Sequence, residues 1–309
     1  MSKTAFVFPG QGSQSVGMLA DLADKYPIIE DTFVEASDAL GYDLWHLVQK
    51  DEDGKLSQTE YTQPALLTAS VALWRLWDDE GGAKPDYLAG HSLGEYSALV
   101  AAGVIKLADA VKLVEARGQF MQQAVPAGTG KMAAIIGLDD EKVREACATA
   151  ANGEVVEAVN YNSPGQVVIA GSADAVERAM EACKDAGAKR ALPLPVSVPS
   201  HCALMKPAAE QLSQKLENTE FSAPTFAVIN NVDVAIENDP DAIKSALIRQ
   251  LYSPVRWTET IQLLAKEATE SLYECGPGNV LCGLAKRIDR SVSATPLASL
   301  DKFEAALDN

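Results

Sequence analysis

The chain has 309 residues, 47% of them hydrophobic and 22% charged, and so few low-complexity runs that wholesale disorder is excluded. Lys and Arg total 26 against 43 Asp and Glu, and the net charge of −17 repels a phosphate backbone, which argues against nucleic-acid binding. The length exceeds what one hydrophobic core usually organises, so two domains, or one domain with an insert, are expected.

Short strand-like runs alternate with longer helical patterns, which predicts a mainly parallel sheet covered by helices. Thr4–Phe8 is the first predicted strand, ended by the loop that begins at Pro9-Gly10. It is too short for the apolar part of a signal peptide, and no apolar run reaches membrane-spanning length. Helices are predicted near Pro27–Leu40 and Gln63–Trp77, then a strand at Asp86–Ala89, a tight turn at Gly90–Gly94, and helices at Glu95–Ala102 and Ala108–Ala124. The middle of the chain changes character. Strands at Lys131–Ile136, Val155–Asn160, Gln166–Ala170 and Lys189–Leu194, with helices at Asp139–Ala151 and Ala173–Ala186, give the order β-α-β-β-α-β. That is the ferredoxin-like pattern, and it places an inserted subdomain at 128–197. After Pro195 and Pro199 the alternation resumes, with helices at Met205–Leu216, Asp241–Leu251 and Thr258–Ala268, strands at Phe226–Ile229 and Ser271–Glu274, and a helix after Gly276-Pro277-Gly278.

Gly90-His91-Ser92-Leu93-Gly94 is a G-x-S-x-G between a predicted strand and a predicted helix, the setting of a nucleophile elbow. The glycines permit a sharp turn that projects the Ser92 hydroxyl. The Leu93 amide faces the same space at a helix N-terminus, which favours a developing oxyanion. The plainer alternative is a glycine-rich turn with a solvated serine. Serine at neutral pH needs a base, and the chain has three histidines. His91 lies inside the elbow and should point away from Ser92; His46 lies in an apolar helical stretch, as a core or surface residue. His201 is left, where the insert returns to the main domain, a junction at which clefts form. The adjacent Cys202 has only His201 to lower its pKa and reads as a buried thiol.

On the Ala108–Ala124 helix, Ala110, Leu113, Val114, Arg117 and Met121 share one face, so Arg117 stands in an apolar stripe. A guanidinium there needs an anion, and its planar fork suits a carboxylate. That anion is either a protein Asp or Glu or a carboxylate on a substrate. Other features are weaker. Gly10-Gln11-Gly12 lacks the third glycine of a dinucleotide fingerprint, and Gly128–Met132 lacks the first glycine and the hydroxyl residue of a Walker A loop. Five scattered cysteines (Cys147, Cys183, Cys202, Cys275 and Cys282) form no C-x-x-C, which disfavours disulfides or zinc and fits a reducing, cytoplasmic compartment.

With Ser92, Arg117 and His201 in view, the sequence resembles the malonyl-CoA:acyl carrier protein transacylases of bacterial type II fatty acid synthesis over nearly its whole length. The likeness is carried by Phe8-Pro9-Gly10-Gln11-Gly12-Ser13-Gln14, Thr62-Gln63-Pro64-Ala65, Gly90-His91-Ser92-Leu93-Gly94-Glu95-Tyr96, Arg117-Gly118 and Val198-Pro199-Ser200-His201. The resemblance implies an α/β fold: a hydrolase-like parallel-sheet large domain (1–127 and 198–309) with the ferredoxin-like insert at 128–197 and the site between them. It implies Ser92 as acylated nucleophile and His201 as general base. The implied substrate-binding set is Arg117 for the malonyl carboxylate, the Gln11 and Leu93 backbone amides for the oxyanion, and Gln250, whose backbone carbonyl orients the histidine. Asn160, Asn162 and Gln63 are placed along the site.

The implied partners are malonyl-CoA and holo acyl carrier protein, with neither nucleic acid nor membrane, and a monomer is expected. A thioester is already activated, so no metal or redox cofactor is expected. Lys189, Arg190, Lys286 and Arg287 are otherwise solvated candidates for docking an acidic carrier. Two further readings share these residues. A serine esterase or thioesterase uses water as acceptor and has no need of Arg117; a non-catalytic carrier-binding module forms no covalent adduct.

Overall fold

In strand β1 (Lys3–Phe8), Ala5 and Val7 on one face alternate with Phe6 and Phe8 on the other, and all four are fully buried. A strand apolar on both faces needs helices on both, as in a covered parallel sheet. The computed structural model, which describes residues 3–196 and 198–308, supplies them. Along the chain come α1 (Ala20–Ala23), α2 (Ile28–Leu40), α3 (Leu44–Lys50), α4 (Thr59–Asp79), β2 (Tyr87–Gly90), α5 (Gly94–Ala101) and α6 (Leu107–Ala124). The middle part is β3 (Gly130–Ile136), α7 (Asp140–Ala151), β4 (Val156–Ser163), β5 (Gln166–Ser172), α8 (Ala173–Asp185) and β6 (Arg190–Pro193). The last part is α9 (Lys206–Glu217), β7 (Ala227–Ile229), α10 (Pro240–Gln250), α11 (Trp257–Lys266), β8 (Thr269–Glu274), α12 (Val280–Ile288), β9 (Ser293–Pro296) and α13 (Leu300–Leu307).

Strands from both ends of the chain form one parallel sheet in the order β7-β2-β1-β8-β9. Phe6 and Phe8 pack with residues of α2, α4, α6 and α9, whereas Ala5 and Val7 pack with those of α11 and α12. Phe6 touches the rings of Trp74, Trp77 and Tyr273 at centroid distances of 5.4, 5.3 and 5.2 Å. Its truncation to alanine falls in the class that costs about 3–5 kcal/mol. Among the described residues no helix is long and apolar enough to cross a membrane.

The middle segment makes a separate antiparallel sheet in the order β4-β5-β3-β6, the ferredoxin-like arrangement expected from its β-α-β-β-α-β order. Its period-2 alternation gives it two apolar faces. Ala133, Ile135, Val167 and Ile169 pack on α7 and α8, while Met132, Val168 and Ala170 turn the other way with Val159 and Cys202. The second face meets the chain as it leaves the small sheet, and that meeting encloses a cleft. The expected end of the insert, Ser197, lies outside the described residues.

Several boundaries differ from the sequence expectation. The expected helix near Gln63–Trp77 starts earlier than its pattern indicates. In the fold α4 begins at Thr59, and Pro64 sits inside it at the cost of one backbone bond. β4 extends to Ser163 through two register shifts, and β9 with α13 closes the sheet edge where no element was expected.

Candidate active site

The site begins with the turn after β2. Ser92 has φ 53°, a left-handed conformation that is strained for a residue with a Cβ. Both motif glycines are required by contact. A Cβ on Gly90 would lie 1.9 Å from the Gly94 carbonyl carbon, and one on Gly94 would lie 2.0 Å from the Phe8 carbonyl oxygen. The strained turn is held by Asn231: its Oδ1 accepts from the Ser92 N–H at 2.7 Å, and its Nδ2 donates to the Gly90 carbonyl at 2.6 Å.

Ser92 Oγ and His201 Nε2 are 2.7 Å apart, although 109 residues separate them in the chain. His201 Nδ1 is 2.7 Å from the Gln250 carbonyl oxygen. A carbonyl only accepts, so Nδ1 carries the proton and the Nε2 lone pair faces the serine. Burial, reinforced by the charge of Arg117, holds the imidazole down to about 3, so it is neutral across the physiological range. Among the described residues no carboxylate backs the histidine; a backbone dipole does. His91, as expected, points away: its Nε2 lies 2.8 Å from Asn162 Oδ1, its ring packs against Trp257, and burial lowers its pKa. His46 is a surface residue with its side chain 57% exposed. Cys202 is buried, its thiol donates to the Pro199 carbonyl, and burial pushes its pKa up to about 12.

Arg117 is 1% exposed. Its Nη1 donates to Gln63 Oε1 at 2.9 Å and its Nη2 to Gln250 Oε1 at 3.0 Å, its plane lies 5.4 Å from the Tyr96 ring centroid, and its Nε has no protein partner. Among the described residues it forms no direct ion pair; the buried Glu95 carboxylate acts on it only from behind Gln250, so the guanidinium fork itself meets neutral amides where a buried cation favours an anion. Ser92, His201 and Arg117 all line one cleft of about 110 Å³, together with Gln11, Leu93, Asn160, Met121, Met132, Val196 and Val198. Among the described residues neither the Gln11 nor the Leu93 backbone N–H donates to a protein acceptor, which leaves both available at the wall of the cleft. Gln250 and Gln63 are fully buried behind Arg117 and are not part of that wall; Asn162 reaches the site only through His91.

One residue escaped the sequence reading although its signal was present. Glu95 is 2% exposed on α5, a helix of sequence GEYSALVA that is buried almost all round. The argument that singled out Arg117 applies equally to a carboxylate in such a helix. Burial raises Glu95 to about 7 against the hydrogen bonds it receives from Asn231 and Gln250. Asn231, in a loop after β7, had no comparable signal.

A strained serine elbow, a neutral histidine and a guanidinium without an ion-pair partner share one cleft, and residues 5–297 match the acyl transferase domain family, which places the chain among the acyltransferases. Full-length relatives narrow the class. The chain is 64% identical over 307 residues to the malonyl CoA-acyl carrier protein transacylase of Salmonella typhimurium, covering 99% of each. It is 63% identical over 308 residues to that of Escherichia coli, covering both completely. Among solved structures, a malonyl-transacylase in complex with a type II PKS acyl-carrier protein superposes with a TM-score of 0.99 at 60% identity, covering both chains completely. An acyl carrier protein S-malonyltransferase from Vibrio cholerae superposes with a TM-score of 0.97 at 64% identity, covering 98% of this chain and 99% of that one. The chain belongs to the malonyl CoA-acyl carrier protein transacylase family of enzymes.

Proposed function

We propose that this transacylase moves the malonyl group from coenzyme A to the phosphopantetheine thiol of acyl carrier protein by a ping-pong route through a malonyl-Ser92 ester. Ser92 Oγ attacks the thioester carbonyl carbon while His201 Nε2 takes its proton. The oxyanion of the tetrahedral intermediate is met by the Gln11 and Leu93 amides. As the carbon–sulfur bond breaks, His201 returns the proton to the departing thiolate. Coenzyme A leaves, and the carrier thiol enters, gives its proton to His201 and attacks the ester; His201 then protonates Ser92 as the new thioester forms.

The observation that carries this reading is the buried Arg117, hydrogen-bonded to two neutral amides and opening onto the cleft that holds the serine. A malonyl carboxylate would complete it with charge-assisted hydrogen bonds. An acetyl group would leave a desolvated cation unmatched. A hydrolase asks nothing of that residue.

Two steps test the proposal. Mixing with malonyl-CoA should leave a denaturation-stable adduct on the Ser92 peptide, absent from Ser92→Ala. Addition of holo acyl carrier protein should then move the label to the carrier in preference to free malonate. Label retained by Ser92→Ala, or release chiefly as malonate, would overturn it.

A further inference from the structure

Beneath the elbow, three side chains that never face the cleft join the two halves of the site. Glu95 Oε2 accepts from the Asn231 backbone N–H at 3.0 Å and from Gln250 Nε2 at 2.8 Å. Gln250 Nε2 also donates to the Ser92 carbonyl at 3.0 Å, its Oε1 accepts from Arg117, and its backbone carbonyl accepts from His201. Asn231 in turn holds the Ser92 N–H. All three residues are almost completely excluded from solvent.

The chemistry of the donors and acceptors gives this cluster a direction. A guanidinium only donates, so the Gln250 amide must turn its oxygen to Arg117, and its nitrogen then needs an acceptor on the opposite side. Glu95 and the Ser92 carbonyl provide the acceptors for its two N–H groups. Glu95 thus anchors the amide from the side away from Arg117, and Gln250 itself touches the serine backbone, the histidine and the arginine. A buried network has this effect only when every member is satisfied.

We propose that Glu95 is a positioning residue that sets the register between the Ser92–His201 pair and Arg117, acting through Gln250 and Asn231. The inference rests on the malonyl-transfer reading. It adds that the carboxylate receptor and the nucleophile share one internal anchor, so disturbing the anchor should alter both turnover and acyl choice.

The test compares Glu95→Gln and Glu95→Asp in the full chain, each assayed well below its thermal midpoint for kcat and KM with malonyl-CoA and for malonyl over acetyl transfer. Glu95→Gln keeps an oxygen where both donors need it and should stay within about tenfold of the parent. Glu95→Asp keeps the charge but withdraws the oxygen; kcat should fall about 100-fold, as for a misplacement of about 1 Å, and the preference for malonyl should narrow. A parental kcat and acyl preference in Glu95→Asp would overturn the proposal, and so would equal losses in the two variants. Should Glu95→Asp not fold, Gln250→Met carries the test. It severs the anchor from Arg117 while keeping the backbone carbonyl behind His201; an unchanged acyl preference there would equally overturn it. A parent chain that transfers no malonyl would instead sink the underlying reading before any variant was compared.

Discussion

Arg117 on α6 and Arg249 on α10 are placed by similar helices and treated in opposite ways. Arg249 is a surface residue, 37% exposed, and its fork grips both oxygens of Asp233 at 2.8 and 2.6 Å. Arg117 is buried at the wall of the cleft, where an unmatched charge costs far more, yet its partners are glutamine oxygens. In a chain where acids outnumber bases by 43 to 26, this is not for want of carboxylates. The surface arginine is satisfied by a carboxylate; the buried one is oriented by neutral dipoles at the wall of the cleft, where the proposed malonyl carboxylate would meet it. The same economy governs His201, which is backed by a carbonyl and stays neutral in a pocket that a cation already occupies.

That contrast can be broken at several points. The largest expected effect is at the base: His201→Ala should lower the acylation rate about 10³-fold at neutral pH, whereas His46→Ala should leave it unchanged. Stopped-flow acylation by malonyl-CoA decides this, and equal effects would end the assignment of the base.

Next is stability against pH. His201 is held far below its ordinary 6.5, so the unfolded chain takes up a proton that the folded chain refuses. Its contribution is complete above about pH 6.5 and is lost as pH falls toward 3. Glu95, raised to about 7, acts with the opposite sign: it costs stability as pH rises from about 4.5 to 7. It is common to the parent and to His201→Gln, so it largely cancels between them. Between pH 7 and 4.5 the parent should therefore lose about 3 kcal/mol more than His201→Gln in urea titrations. Parallel losses would show that the imidazole is not kept neutral.

Arg117→Lys keeps the charge and gives up the planar fork, so malonyl transfer should fall about tenfold, the worth of one charge-assisted hydrogen bond. A parental kcat/KM would mean that a point charge suffices. The smallest effect belongs to the surface arginine. Arg249→Ala should cost at most about 1 kcal/mol of stability, since half-exposed ion pairs are screened, and should leave malonyl transfer unaltered. A loss of transfer comparable to that of Arg117→Lys would erase the distinction between the two.

Local chemistry made the ends of this site legible from sequence. Gly90 to Gly94 carries its own conformational demand, His201 stood out because only three histidines exist, and Arg117 broke an apolar stripe. The parallel sheet and the ferredoxin-like insert were legible for a similar reason, since periodicity within each element reports its buried face. What joins these parts was not. Gln63, Gln250 and Asn231 are neutral amides whose partners lie 54, 133 and 139 residues away, and nothing in their own neighbourhoods marks them as buried or paired. Family resemblance supplied the carbonyl of Gln250 but not its side chain. Glu95 is the instructive omission, because a carboxylate inside an almost wholly buried helix is as costly as the guanidinium it helps to orient. β9 went unseen because a four-residue edge strand has no clear alternation, whereas α13 carries a helical pattern, with Phe303 and Ala306 buried, that escaped the sequence reading.

A competition for the serine tests most directly whether the interior cation recognises a diacid half-ester. Parent and Arg117→Ala chains would be mixed with equal concentrations of malonyl-CoA and acetyl-CoA, and the adducts on the Ser92 peptide counted by mass spectrometry. The parent should carry malonyl almost exclusively, and Arg117→Ala should shift the ratio toward acetyl by about 100-fold, the cost of leaving a buried charge unpaired. An adduct ratio that does not change when the guanidinium is removed would contradict the account.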